Sequence, residues 1–333
     1  MRRVACACLA LLPVPAFFAS LFLGAYHIPP AEVLRILLVK LVSPATHSPW
    51  PEAYEVVLFK IRLPRVLLAM LIGAALSVSG TALQAIFRNP LVSPYIRGIS
   101  SGAAFGAALA ICFLPLAVEP SAFVFALVAV ALTCSLARIR GEISTVSLIL
   151  AGIVVTALFS ALVSLLKFLT TDPHQLASVV FWMMGSLSLA SWDSIVRCAP
   201  LVAAGVAPLC LMRWRLNVLS LGEEAKLLGI NVDRDRLLVV ASSSLATAAA
   251  VSVAGIIGWV GLIVPHIIRM AVGPDNRILV PLSATTGAAF LLLADDLARS
   301  LTTYEIPLGI LTTLCGAPFF VYLLRRTGGG SWR

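Results

Sequence analysis

The chain has 333 residues, 60% of them hydrophobic and only 12% charged, with a mean hydropathy of +1.02. A soluble domain of this size carries about twice that share of charge, so a soluble globular enzyme is excluded. The formal net charge of +9 is accounted for by membrane topology, argued below, and not by nucleic acid.

Repeated apolar runs of about 20 residues predict helices crossing a hydrocarbon core roughly 30 Å thick. The runs are continuous rather than alternating, which rules out a barrel. Ten spans are expected, near residues 4–25, 63–86, 92–114, 120–138, 143–168, 190–211, 236–254, 257–271, 279–299 and 306–325. The fold class is all-α and polytopic, with residues 1–333 forming one transmembrane domain. Met1-Arg2-Arg3 ahead of an apolar run imitates a signal peptide. It is read as a retained first span, because cleavage would upset the topology.

Between spans one and two, residues 26–61 hold Pro29, Pro30, Pro44, Pro49 and Pro51, with an amphipathic piece, AEVLRILLVKLV, suited to the membrane interface. Span two carries Gly73, Ser77, Gly80 and Thr81. Span three opens GISSGAAFGAALA, with Gly98, Gly102 and Gly106 at four-residue spacing, a stripe that lets another backbone approach closely or leaves room for a pathway. Arg97 is expected one or two turns into that span, either snorkelling to the headgroups or facing a wet cavity that carries an anionic cargo. Residues 169–189 read as a polar-then-aromatic re-entry. The stretch LSLGEEAKLLGINVDRDR, residues 219–236, is the densest run of charge in the chain. Span eight is broken by Gly255, Gly258, Gly261 and Pro265. Asp295, Asp296 and Arg299 fall near the end of span nine, where Asp295 and Arg299 are spaced for a local ion pair.

With the N-terminus in the cytoplasm, fifteen Lys and Arg fall inside and eight outside, and only Arg97 lies within a span. That satisfies the positive-inside rule and puts both termini and the charged stretch in the cytoplasm. A faint echo, Arg65 to Gly80 against Arg236 to Gly255, has the sense of an inverted repeat.

The seven cysteines make no CxxC and no zinc spacing, and read as small buried hydrophobes. His27, His47 and His174 fall in outer loops, and His266 reads as a satisfied polar group. No HExxH, GxSxG or His/Asp set appears, so no residue is assigned to catalysis and none to metal. The spans lack a relay of buried acids, and there is no GxxxxGK[ST] to cradle ATP phosphates. A pump of this kind needs a partner to hydrolyse ATP; the alternative is an ion-coupled secondary transporter.

The motifs RLPR (62–65), RNPLVSPYIRGISSGAAFG (88–106), FWMMGSLSLASW (181–192), LGEEAKLLGINV (221–232), GWVGLIVPHIIR (258–269), LLLADDLAR (291–299) and IPLGILTTLCGAPFFVYLLRR (306–326) occur in this order. The chain resembles the membrane permease subunits of type II ABC importers, which take up iron–siderophores, haem and cobalamin. The resemblance implies ten spans, a permease dimer, here a homodimer, and an inner-membrane location in a prokaryote. It also implies two cytoplasmic ABC ATPase subunits, which carry ATP and Mg, and an extracytoplasmic binding protein that delivers cargo. This chain itself is expected to bind no cofactor.

By the same resemblance, residues 217–235 form the ATPase-coupling segment, through Gly222, Glu223, Glu224, Ala225, Leu228 and Gly229. Arg62, Arg65 and Arg299 would face outward and dock acidic residues of the binding protein. Exposed pairs contribute only about 0.2–1 kcal/mol each, so they orient more than they anchor. Asn89, Leu91, Ser144 and Thr145 would build the cytoplasmic gate. Arg97 departs from the apolar residue usual in the family, and the Asp295-Asp296 pair has one acid more than expected.

Overall fold

The computed structural model describes residues 2–24, 26–42, 49–139, 142–143, 145–302 and 304–327. Helices α1 (Arg2–Leu11) and α2 (Pro13–Phe22) form one apolar stretch, followed by α3 (Pro30–Val42). Then α4 (Glu52–Glu55) and a π-helical turn, Val56–Arg62, lead straight into α5 (Leu63–Phe87). Next come α6 (Ile99–Cys112) and α7 (Val118–Ala137). A hairpin of two-residue strands follows, with Arg138 opposite Ile143. The chain continues through α8 (Thr145–Leu169), α9 (Pro173–Met184), α10 (Trp192–Leu211), α11 (Arg213–Leu219), a 3-10 turn at Gly222–Leu228, and α12 (Val232–Ala254). It ends with α13 (Val260–Val272), α14 (Asn276–Ser300) and α15 (Leu308–Thr327).

Among the described residues, seven helical stretches are long and apolar enough to cross a membrane, and α6, α13 and α15 are shorter apolar helices. Each of the ten expected spans therefore has a counterpart. The third starts later than expected. Arg88 takes a left-handed conformation (φ 50°) and Pro90 and Pro94 follow, so residues 88–98 form turns and α6 begins only at Ile99. Its 14 residues rise roughly 21 Å, short of a full crossing.

Helices α5, α12 and α14 form the centre: 78%, 72% and 67% of their apolar windows are buried, against 33% or less for α7, α8 and α10. Lipid tails are as apolar as leucine, so burying apolar side chains does not select these neighbours; close backbone packing does. A Cβ on Gly73 would stand 2.1 Å from the Gly287 carbonyl oxygen, and one on Gly80 would stand 2.0 Å from that of Gly261. These two contacts let α5 touch α14 and α13 almost backbone to backbone. Thr81 and Ser283 add a hydroxyl–hydroxyl bond of 2.7 Å between α5 and α14. Gly102 and Gly106 likewise press on the α7 backbone at Phe125 and Ser121, so that part of the stripe is a packing seam.

Two sequence expectations meet local differences. Gly80 is mid-helix, whereas Gly255, its partner in the echo, ends α12 at φ 69°, so these two glycines do unlike jobs. Of the seven cysteines only Cys198 is buried, while Cys8 and Cys315 are exposed. In a span the outer surface meets lipid, where a small apolar thiol is at no disadvantage. His266 is buried against Phe319 and Phe320, with ring centroids 6.1 and 5.9 Å away.

Candidate functional site

The chemistry-bearing residues collect at two ends. At one end α2, the π-helical turn, α5 and the end of α14 enclose a cavity of about 820 Å3, lined by Tyr26, Arg62, Arg65, Arg299, Thr302 and Glu305 among others. Arg62, Arg65 and Arg299, expected to face outward and dock a binding protein, all line this cavity, with their side chains largely buried inside the chain's own network. Arg65 is 7% exposed and forks onto Asp295, with Nε donating at 2.9 Å to Oδ2 and Nη2 at 2.9 Å to Oδ1. Its remaining nitrogen, Nη1, donates to Glu305 at 2.6 Å. Arg299 pairs with Asp296 and donates to the Ser20 carbonyl at 2.7 Å, while the Ser20 hydroxyl donates to Asp296 at 2.6 Å. Among the described residues Arg62 meets backbone, donating to the carbonyls of Leu21 (2.6 Å) and Tyr26.

The local ion pair expected between Asp295 and Arg299 is long, at 3.8 Å. Arg65 takes Asp295 from 230 residues away, and Arg299 turns to Asp296. The acid that seemed surplus in sequence is thus the partner of Arg299.

At the opposite end of α14 lies the predicted coupling segment. It is a 3-10 turn, Gly222–Leu228, bracketed by Gly222 and Gly229 at φ 76° and 75°, both left-handed positions that glycine takes at little cost. Ala225 is fully buried and anchors it, while Leu227 and Leu228 are 86% and 60% exposed and Glu224 is exposed. No neighbour would meet a Cβ on Gly229, so that end is open. Asn217, on α11 just before this turn, donates to Asp275 at 2.8 Å and accepts from the Asn276 amide at 2.8 Å. Asp275 caps α14 and also takes the Arg277 guanidinium, with Nη2 at 2.8 Å. Hydrogen bonds from Arg277, then from Asn217, hold its carboxyl well below the usual carboxylate range.

Among the predicted gate residues, Asn89 turns the chain after α5: its side chain accepts from the Leu91 amide at 2.9 Å, and Leu91 is 51% exposed. Thr145 opens α8, and Ser144 lies outside the described residues. Sequence reasoning missed Arg88. Its guanidinium lies where a Cβ on Gly222 would stand, 2.8 Å from Nη1, so the gate turn and the coupling segment touch through one side chain. An arginine at the end of a span reads as a topology signal, and nothing local distinguishes this one.

Arg97 is fully buried in the turn before α6, where Nη2 donates to the Ser243 hydroxyl at 3.0 Å and its carbonyl accepts from Thr133. It therefore neither snorkels nor faces a wet cavity in this conformation. Its Nε and Nη1 find no partner among the described residues. A second cavity of about 500 Å3 shares Glu305 with the arginine cavity and is lined by Phe181, Trp182, Ser186, Gly255 and Pro307 among others.

The profile of the FecCD transport family matches residues 10–326. The chain is 46% identical over 279 residues to the cobalamin import system permease protein BtuC of Halobacterium salinarum, covering 83% of this chain and 75% of that one. It is 41% identical over 326 residues to the molybdate import system permease protein MolB of Haemophilus influenzae, with 96% of each covered. A solved structure described as an inward-facing conformation of a metal-chelate type ABC transporter superposes with a TM-score of 0.83 at 39% identity, covering 96% of this chain and 98% of that one.

Proposed function

The chain belongs to the FecCD transport family, and from that premise we propose that it is the transmembrane permease of an ATP-driven importer working by alternating access. It forms one transmembrane domain, pairs with a second permease, here a second copy of itself, and carries two ABC ATPase subunits on its cytoplasmic face. A binding protein delivers cargo to the arginine cavity on the outer face, and both termini lie in the cytoplasm. The ATPases hydrolyse ATP; this chain transmits movement and catalyses nothing.

The observation that carries this reading is the Gly222–Leu228 turn. It is anchored by one buried alanine and otherwise offers two bare leucines and an acid at the membrane edge, a surface that suits a groove on a partner. Arg88 supports a direct line from this turn to the gate formed by Asn89, Leu91, Ser144 and Thr145. The ion-coupled alternative finds Asp295 and Asp296 already neutralised by Arg65 and Arg299. Reversing Glu223 and Glu224 to Lys is expected to abolish co-purification of the ATPase while the permease stays folded; retention of both ATPase and transport would refute the reading.

The cargo class is a chelated metal: a ferric siderophore, haem or cobalamin. Molybdate, named for the Haemophilus relative, extends that list to a small oxyanion. Arg97, sealed away as described, is assigned to the cargo path only if transport opens the turn before α6. Titration calorimetry of the co-purified binding protein against ferric siderophores, haem, cobalamin and molybdate separates these cargoes.

A further inference from the structure

We infer that Glu305 is a displaceable latch. An acidic side chain of the docking protein takes its place on Arg65, and this frees the Tyr304–Leu308 segment that borders the neighbouring aromatic cavity. The inference rests on the docking reading of the arginine cavity and adds to it how docking is transmitted.

The first ground is charge balance. Arg65 and Arg299 are paired with three carboxylates (Asp295, Asp296, Glu305), and Arg62 lies beside them on backbone carbonyls, so three positive and three negative charges balance at this site. Another carboxylate entering would leave an excess negative charge in a half-buried cluster, unless one of the resident acids gives way. The three are not equally bound. The side chains of Asp295 and Asp296 are 0% and 5% exposed, and that of Glu305 is 42% exposed. Asp295 is held by a two-nitrogen fork, the stronger geometry, while Glu305 has a single nitrogen of the same guanidinium. Glu305 is the acid that can leave. The nitrogen it vacates, Arg65 Nη1, is the one aimed away from the buried fork.

The second ground is where Glu305 sits. It lines both the arginine cavity and the aromatic cavity of Phe181, Trp182 and Gly255. Its segment is pinned on either side: the Ile306 amide donates to the Ala298 carbonyl at 3.0 Å, and the Leu308 amide to the Gly185 carbonyl at 2.9 Å. Gly309 then lies against the carbonyls of Met184 and Ile256, at the ends of α9 and α12. Releasing Glu305 therefore loosens a segment that joins the docking network to the wall of the aromatic cavity.

The test uses the whole transporter with its ATPase in nanodiscs, and the binding protein that co-purifies with it. Glu305→Gln keeps the shape and removes the competing charge. If a partner carboxylate must displace Glu305, this variant binds the partner roughly threefold to fivefold more tightly, and its ATPase rate without partner rises. Unchanged or weaker binding overturns the latch. A photo-crosslinking phenylalanine at Ile61, on the rim of the cavity, tests the premise separately. Crosslinking with unaltered Glu305→Gln affinity leaves docking standing and the latch refuted. Binding without crosslinking shows that the partner docks elsewhere, and both ideas fall.

Discussion

Arg65, Asp295, Asp296 and Arg299 show what a buried charge needs from its neighbours. Taking an ion out of water is costly unless the opposite charge and hydrogen bonds meet it, and each of these four has such a partner. Replacing Asp295 with Ala leaves Arg65 buried with only Glu305, so a loss of about 3–5 kcal/mol is expected. It reads as a clearly lowered melting midpoint in detergent, and an unchanged midpoint would mean that the network contributes little. Sequence spacing pointed to Asp295 with Arg299, since four residues is one helical turn. The preferred partner lies on α5, and no spacing rule reaches across 230 residues. Arg97 shows the same limit: its position just ahead of an apolar run was legible, but its enclosure beside Ser243 was not.

The glycines act at the level of the element. Gly80 on α5 faces Gly261 on α13 at a separation where any side chain meets backbone oxygen. Gly80→Leu should force these helices apart, and cavities and strain of that kind typically cost about 1–3 kcal/mol or more. The variant is expected to appear in membranes at well under half the parental level, measured by in-gel fluorescence of a tagged chain; parental yield and melting would refute the close contact. Helix α14 matters in a second way. Its 25 residues span roughly 37 Å, from the Asp275 cap beside the coupling segment to the Asp296–Arg299 pair in the outer cavity. The length of this helix was legible from its apolar run. What its two ends hold was not, because Asn217 and Ser20 reach them from other parts of the chain.

For the molecule as a whole, one continuous helix thus links the arginine cavity to the Gly222–Leu228 turn, the two sites proposed for the binding protein and the ATPase. Asp275→Asn weakens the cap and the link to Asn217 while leaving both end sites in place. Assembly with the ATPase and docking of the binding protein should persist, but stimulation of ATP hydrolysis by that protein should fall by a factor on the order of 2 to 10. Full stimulation in this variant would show that the signal travels by another route, such as Arg88 between Gly222 and the Asn89 turn. Loss of assembly instead would make Asp275 a structural cap alone.

Hydropathy alone determined the class of this protein and the approximate limits of its apolar helices, because each depends on a run of neighbours and a hydrocarbon thickness. The bracketing of the Gly222–Leu228 turn by Gly222 and Gly229 was legible for a local reason: glycine takes a left-handed backbone, and so ends a helix, at little cost. The tertiary structure decided the rest. It settled which of the arginines lie buried, which acid each of them meets, and that α6 stops short while Arg97 is sealed in the turn before it. Electrostatic and packing energies depend on separation in space and on the exclusion of solvent, and neither is a function of distance along the chain.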